Sequence, residues 1–291
     1  YFDGGLKMSG LFGCIDTAKK PGNVARTAYY GVFSLQHRGQ ESAGIAVNNN
    51  GSFMVHKQTG LVADSFDDVI LSTLEGSAAV GTARLASSKE TGSDAIQPIL
   101  IKSRAGNIAL SSSSAILNES EIRDSLKNLG AIFQTNTDSE VILSLFSRNR
   151  VRTDDCESAI LQTMKDIKGV YSMIFMTEEK LIGVRDPYGM RPLVLGRKDD
   201  IWMLSSETCA LDALDAEFIR DLEPGEIISI SNTGKITSTF FDDSEDSSEK
   251  RVNDGKVCIF EYVYVARPDS VIDGSSIYES RVKTGMALAK E

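Results

Sequence analysis

Short apolar runs recur along the chain, and many of them are closed by glycine or by polar turn residues. This pattern predicts β-strands. The predicted strands are Ala43–Val47, Phe53–His56, Ala78–Gly81, Asn107–Leu110, Val170–Met176, Leu181–Val184 and Ile201–Ser205. They make β-structure the larger part of the predicted fold.

Helical spacing of apolar residues interrupts these strands in four places. The predicted helices are Ala25–Gln36, Glu119–Leu129, Ser139–Ser147 and Cys156–Asp166. Asn118 and Asp138 precede two of them as candidate N-caps. Groups of strands that alternate with pairs of helices predict an α+β layered domain.

The composition divides the chain into four parts. Tyr1–Met8 is interpreted as a leader, a propeptide or an expression remnant, and residues 9–240 predict one domain. Residues 241–254 (FDDSEDSSEKRVND) are acidic, rich in serine and almost free of apolar side chains, which predicts a flexible loop. Apolar residues return in the connecting segment 255–291, which includes the amphipathic stretch Ser275–Lys290.

The overall composition excludes several classes of protein. Of 291 residues, 41% are hydrophobic and 25% are charged, as in ordinary globular proteins. No apolar run approaches the roughly 20 residues of a membrane helix, and a net charge of -10 argues against nucleic acid or an anionic membrane as a partner. The four scattered cysteines form no CxxC pair, which predicts reduced thiols and a cytoplasmic protein.

Six longer motifs hold most of the information about function. They are Ser34–Val47 (SLQHRGQESAGIAV), Asn136–Glu140 (NTDSE), Asp186–Leu193 (DPYGMRPL), Ser205–Ala210 (SSETCA), Leu222–Glu226 (LEPGE) and Phe260–Ser270 (FEYVYVARPDS). In this order they resemble the motifs of the glutamine amidophosphoribosyltransferase family, at its N-terminal class II glutamine amidotransferase domain. The resemblance runs from Ser9 to Glu291.

The resemblance implies an N-terminal-nucleophile hydrolase fold, a four-layer αββα sandwich with Ser9 at the start of a central strand. It also implies a domain that releases ammonia from glutamine and passes it to a phosphoribosyltransferase domain in purine nucleotide biosynthesis. No phosphoribosyl-diphosphate motif occurs in this sequence. We therefore expect the glutaminase half together with a segment that leads toward an absent transferase domain.

The reactive positions differ from the family pattern. Ser9 stands where the family has its cysteine nucleophile, and a hydroxyl is almost wholly protonated near neutral pH. Ser113 and Ser114 stand where the family has the Asn–Gly pair of the oxyanion hole, within the serine run Ser111–Ser114, which we interpret as a loop. The loss of one such donor typically costs about 10²–10³ in rate. Because Thr82, Leu85 and residues 87–89 also depart from the family motif, we expect the glutaminase domain to be inactive.

The resemblance assigns substrate binding to three residues that are retained. Arg84 aligns with the arginine that pairs with the glutamine α-carboxylate, Asp138 with the aspartate that holds the α-ammonium group, and Arg38 with the signature arginine beside the nucleophile. Structural roles compete with these assignments. Either arginine could satisfy loop carbonyls, and Asp138 could act as an N-cap.

The sequence predicts no cofactor and no metal in this chain. Cys258 aligns with a cysteine that binds an iron–sulfur cluster in some family members, but a buried structural thiol is the favoured interpretation. His37 and His56 are too far apart in the sequence to indicate a metal site. Mg²⁺, and in some members an iron–sulfur cluster, would belong to a transferase domain of the full protein.

Three functional hypotheses remain open. The first is an amidophosphoribosyltransferase-like protein with an impaired glutaminase domain, fed by free ammonia or by a partner. The second is a pseudo-glutaminase that binds glutamine weakly or regulates, as a homo-oligomer or paired with an active paralogue. The third is an N-terminal-serine amidase, which requires removal of residues 1–8 so that the α-amine of Ser9 becomes free.

Overall fold

The computed structural model describes residues 8–85, 92–103, 106–241 and 256–291. The interpreted leader before Met8, the changed positions 87–89 and nearly all of the acidic loop lie outside these residues. The strands are β1 Ser9–Asp16, β2 Ser42–Asn49, β3 Ser52–Thr59, β4 Ala78–Arg84, β5 Ile99–Ser103, β6 Gly106–Ile116, β7 Gly169–Met176, β8 Lys180–Arg185, β9 Val194–Lys198, β10 Ile201–Ser205, β11 Glu217–Asp221, β12 Glu226–Ser231, β13 Ile236–Phe240, β14 Val271–Ile272 and β15 Ser275–Ser276. The helices are α1 Ala25–Ser34, α2 Val62–Ser65, α3 Asp68–Thr73, α4 Glu119–Asn128, α5 Asp138–Arg150, α6 Cys156–Asp166, α7 Cys209–Asp212 and α8 Ile277–Leu288.

Two antiparallel sheets form the centre of the molecule. The first has the strand order β11-β9-β10-β1-β4-β2-β3, and the second has the order β13-β12-β8-β7-β6-β5. An apolar layer drawn from both sheets includes Leu11, Val80, Ile174 and Leu204, all of them fully buried. The two sheets therefore pack face to face.

Helices cover the outer face of each sheet. The first sheet packs against α1 through a cluster that includes Phe12 and Val32, and the second packs against α5 and α6 through Phe146 and Phe175. The order of layers is helix, sheet, sheet, helix, which confirms the predicted α+β four-layer sandwich. Among the described residues, no helix is long and apolar enough to span a bilayer.

The four predicted helices are all present and correct to within a few residues, whereas the short helices α2, α3 and α7 were missed. Cys156–Asp166 is confirmed at both ends. Helix α5 extends beyond the predicted Ser139–Ser147, and its N-cap is Thr137, whose side chain accepts a hydrogen bond from the Glu140 amide. The suggested capping role of Asp138 was therefore wrong, since Asp138 lies one residue inside the helix.

Ser111–Ser114 differ from the expectation that they would form a loop after a strand ending at Leu110. They lie within the eleven-residue strand β6, which pairs with β7 in unbroken register from Ala109 to Ile116. No glycine or proline interrupts this stretch, so the ladder of hydrogen bonds continues through the serine run.

Buried ion pairs attach the C-terminal segment to the sandwich. Arg38 donates hydrogen bonds to both carboxylate oxygens of Glu261 and also bonds to Glu207, and all three side chains are almost wholly buried. Glu207 in turn accepts hydrogen bonds from the backbone N–H of Arg267 and the hydroxyl of Ser270. Removing one partner would leave a buried charge uncompensated.

We predict that Glu261→Gln lowers the free energy of unfolding by about 3–5 kcal/mol, because Arg38 loses a buried counter-charge. Asp269→Asn provides the matched control, since Asp269 pairs with Arg267 where both side chains are about half exposed. That change should cost less than about 1 kcal/mol. Urea denaturation followed by circular dichroism measures both values, and equal losses would contradict the prediction.

Candidate functional site

One pocket collects most of the residues singled out by the sequence. It lies where the first residue of β1, the last residues of β4, the serine run of β6 and the start of α5 meet. Its lining residues are Met8, Ser9, Arg84, Leu85, Gln97, Ser112, Ser114, Asp138 and Ser139. The cavity is partly open to solvent, and its inner space of about 20 Å³ is enough for about one water molecule.

Ser9 begins the central strand β1, as predicted, and is buried. It pairs in register with Arg84 on β4, which places the two residues side by side. The nitrogen of Ser9 donates a hydrogen bond of 3.2 Å to Oγ of Ser113. The carbonyl of Met8 accepts a hydrogen bond from the Leu85 amide, so the pairing of the strands continues one residue before Ser9.

The serine run presents its hydroxyls alternately to the two sides of β6, as the period of a strand requires. Oγ of Ser111 accepts a hydrogen bond from Thr82, and Oγ of Ser113 meets Ser9. On the other side, Ser112 contacts Ser139 at the start of α5, and Ser114 lines the pocket. The hydroxyls of Ser111, Ser112 and Ser113 therefore all have hydrogen-bond partners within the protein.

Arg84 and Asp138 both line the pocket and are both buried. Arg84 donates from Nη1 to the carbonyl of Ala95 at 2.8 Å, and Oδ2 of Asp138 accepts from the Ile116 amide at 3.1 Å. Each charged group is thus fixed by a backbone partner. A guanidinium and a carboxylate that line one pocket are complementary to the two charges of an α-amino acid.

Arg38 is not among the residues that line the pocket. A Cβ placed on Gly10 would come within 3.4 Å of the Arg38 Cβ, so the side chain starts beside β1. Its guanidinium then turns to Glu207 and Glu261. The structure gives Arg38 carboxylate partners, where the sequence suggested either substrate or loop carbonyls.

Gly39 follows Arg38, and its lack of a side chain allows its backbone to approach the backbone of Arg84 closely. A Cβ on Gly39 would lie 2.3 Å from the carbonyl carbon of Arg84, well inside van der Waals contact. Only glycine lets the turn of the HRG motif lie against the end of β4. The motif therefore helps to fix Arg84 in place.

Sequence reasoning missed Gln97 and Ser139 as site residues. Ser139 stands inside the NTDSE motif, next to the chosen Asp138, so its presence in the pocket could have been read from that neighbourhood. Gln97 precedes Pro98 in a segment that carries no recognised motif. Nothing in the sequence alone indicates that Gln97 contacts the serine run.

Cys258 precedes the π-helical turn Glu261–Val265 and is partly exposed, so the interpretation as a buried thiol was wrong. Across the described ranges, no group of three or more histidine, cysteine, aspartate or glutamate side chains could hold a metal ion.

The family model of a glutamine amidotransferase domain matches residues 82–213. An amidophosphoribosyltransferase of Methanocaldococcus jannaschii is 43% identical over 292 residues, covering 98% of this chain and 61% of that protein. One from Archaeoglobus fulgidus is 41% identical, covering 91% of this chain and 56% of that protein.

The fold agrees with a solved structure of glutamine phosphoribosylpyrophosphate amidotransferase from Bacillus subtilis, in complex with ADP and GMP. The TM-score is 0.85 at 35% identity, covering 97% of this chain and 58% of that one. The chain thus spans about three fifths or less of the length of these relatives. The agreement extends through the C-terminal segment as well as the sandwich.

The pH dependence of stability should report on Glu207. Burial alone would raise the pKa of its carboxyl, but the charge of Arg38 and the hydrogen bonds from His37 and Ser270 outweigh it and hold that pKa well below its usual range. A carboxylate with a depressed folded pKa stabilises the fold above its unfolded pKa, about 4.3, and loses this contribution as pH falls below that value.

We therefore expect the melting temperature to fall between pH 5 and pH 3, and Glu207→Gln to flatten this part of the curve while lowering stability at pH 7. Thermal denaturation across this range provides the measurement. If the variant and the wild type show the same slope below pH 5, the carboxylate of Glu207 does not carry the effect.

Proposed function

The chain belongs to the glutamine amidophosphoribosyltransferase family, and on that premise we propose that it is the glutaminase-like part of a purine-biosynthesis protein and that this part hydrolyses glutamine very slowly or not at all. Its length relative to the full relatives fits the amidotransferase part. Transferase activity would require the remaining part of such a protein.

The observation that carries the proposal is the contact between Ser9 and Ser113. At the position of the family's oxyanion asparagine, the chain presents a hydroxyl that already accepts the N–H of Ser9. A serine side chain is about two bonds shorter than a carboxamide, so it does not extend as far into the pocket. The nucleophile position carries a second hydroxyl, which is a weak nucleophile near neutral pH.

The binding groups support a second candidate function, a glutamine-binding pseudo-glutaminase. Arg84 and Asp138 are placed to hold the α-carboxylate and the α-ammonium group of an amino acid, and each charge-assisted contact is worth about 1.5–3 kcal/mol. The cavity between them is partly open to solvent, and Leu85 is the exposed member of its lining.

Exposed apolar residues on the C-terminal helix α8 support the proposal that a further domain or subunit binds there. Ile277 is the one buried residue of α8, whereas Tyr278, Val282 and Met286 form an exposed stripe at i, i+4 and i+8. Exposed apolar residues of this extent are typical of interaction sites. A transferase domain, in the same chain or in an active paralogue, would cover them and could use ammonia from solution or from that partner.

The third candidate, an N-terminal-serine amidase, depends on Met8. Met8 is buried and lines the pocket, and its peptide bond occupies the nitrogen of Ser9. Only a chain that begins at Ser9 would have the α-amine that this mechanism uses as base. The intact mass of the mature protein distinguishes this candidate from the other two.

We predict negligible ammonia release from glutamine, and no rescue by Ser9→Cys alone, even in a chain beginning at residue 9. The oxyanion position would still lack its donors. Adding Ser113→Asn and Ser114→Gly to that variant should raise the rate at least about 100-fold. A coupled glutamate dehydrogenase assay measures each rate. Wild-type release comparable to that of active relatives would refute the proposed inactivity.

Glutamine should bind with a dissociation constant no better than about millimolar. Arg84→Ala should weaken this binding at least about tenfold, because the α-carboxylate loses its cation. Arg197→Ala serves as control, since Arg197 lies over the Trp202 ring on another strand of the first sheet. Calorimetric titration gives the constants. Tight binding that survives Arg84→Ala would place the ligand elsewhere.

A further inference from the structure

Gln97 lies between the serine run of β6 and α5, at the wall of the pocket. Its side chain is almost fully buried and makes three hydrogen bonds. Nε2 donates to the carbonyl of Ser112 at 3.0 Å and to Oγ of Ser139 at 2.8 Å, and Oε1 accepts from the Ser112 amide at 2.6 Å. The carboxamide therefore bonds to both backbone groups of one residue.

The Gln97 side chain replaces a pair of backbone hydrogen bonds at the end of the sheet. The pairing of β5 with β6 begins at Ile99 opposite Leu110, so the residue two positions earlier, Gln97, falls opposite Ser112. The backbone carbonyl of Gln97 points toward Gly44 on β2. A Cβ built on Gly44 would lie 2.2 Å from this carbonyl oxygen. The side chain takes over the hydrogen bonds that the backbone of β5 would otherwise make with Ser112.

The same short segment also reaches the other charged wall of the pocket. The carbonyl of Ala95 accepts the hydrogen bond from Arg84, and the carboxamide of Gln97 joins Ser112 to Ser139 beside Asp138. Two residues therefore link the cation, the serine run and the start of α5. A change in the segment would alter the relative positions of all three.

From this we infer that Gln97 is the positioning residue of the ligand site. It fixes Ser112, and through the strand it fixes Ser113 against Ser9 and the start of α5 against β6. The inference rests on the proposed function insofar as the ligand is an α-amino acid. The positioning itself concerns this chain's own residues and can be measured without a ligand.

The test uses Gln97→Met, which keeps the length of the side chain and removes the three hydrogen bonds. Asn48→Leu is a matched control, because buried Asn48 also makes three bonds to backbone, to the carbonyls of Thr177 and Glu178 and to the Gly51 amide, and does not line the pocket. Both variants should lower the melting temperature by similar amounts.

Only Gln97→Met should change the site. We expect the Ser112 amide to exchange its hydrogen at least about tenfold faster, and the dissociation constant for glutamine to rise about tenfold. Nuclear magnetic resonance of the amide-labelled protein measures exchange and, by titration, glutamine binding. Unchanged Ser112 exchange, or an equal change in Asn48→Leu, would overturn the inference.

Gln97→Glu adds a test of rescue. Its ionised carboxylate can accept from the Ser112 amide but cannot donate to the Ser112 carbonyl, and it repels that carbonyl oxygen, which should displace the side chain. The protonated form can make both bonds. Slow exchange at Ser112, corrected for the intrinsic pH dependence of exchange, should therefore be restored at pH 5.5 relative to pH 8 in this variant alone. Absence of restoration would count against positioning by hydrogen bonds. If the wild type fails to bind glutamine while the exchange results hold, the proposed ligand is wrong and the positioning role stands.

Discussion

The packing of the two sheets against each other is the interaction on which the other features depend. The apolar layer between them fixes which residues of β1, β4 and β6 face inward, and a slip of one residue would turn each strand over. At one edge of the sandwich this layer ends, and hydroxyl, amide and charged groups replace the apolar side chains. Ser9, Arg84 and the serine run come together there because the registers of three strands are set by the core.

Much of this could be predicted from the sequence. Apolar spacing located the longer helices and the strands β2, β3, β4, β6, β7, β8 and β10, and the ordered motifs indicated the layered fold. Strands β5, β9, β11, β12 and β13 were missed. In the edge strands β11 and β13 the half-exposed residues alternate poorly. The serine run was interpreted as a loop because serine has a weak preference for strands, and tertiary pairing with β7 overrode that preference.

The site was predictable in part for a similar reason. Ser9, Arg84 and Asp138 belong to motifs, and the structure brings them to one pocket. The partners of Arg38 were not foreseeable, because Glu207 and Glu261 are 169 and 223 residues away in sequence. Gln97 was missed for a related reason. Its side chain bonds to Ser112 and Ser139 where the backbone of a strand would otherwise pair, and no local pattern indicates this. Contacts of long sequence separation leave no local pattern to read.

The ion pairs around Arg38 have a consequence for where the protein can be divided. Composition places a boundary at the acidic stretch, so a fragment ending near residue 240 looks like a self-contained unit. Such a fragment would keep Arg38 and Glu207 but lose Glu261, together with the Arg267 amide and the Ser270 hydroxyl that bond to Glu207. Truncation there would open a charged cavity in the interior. The smallest unit that can be expressed intact therefore includes the C-terminal segment at least to Ser270.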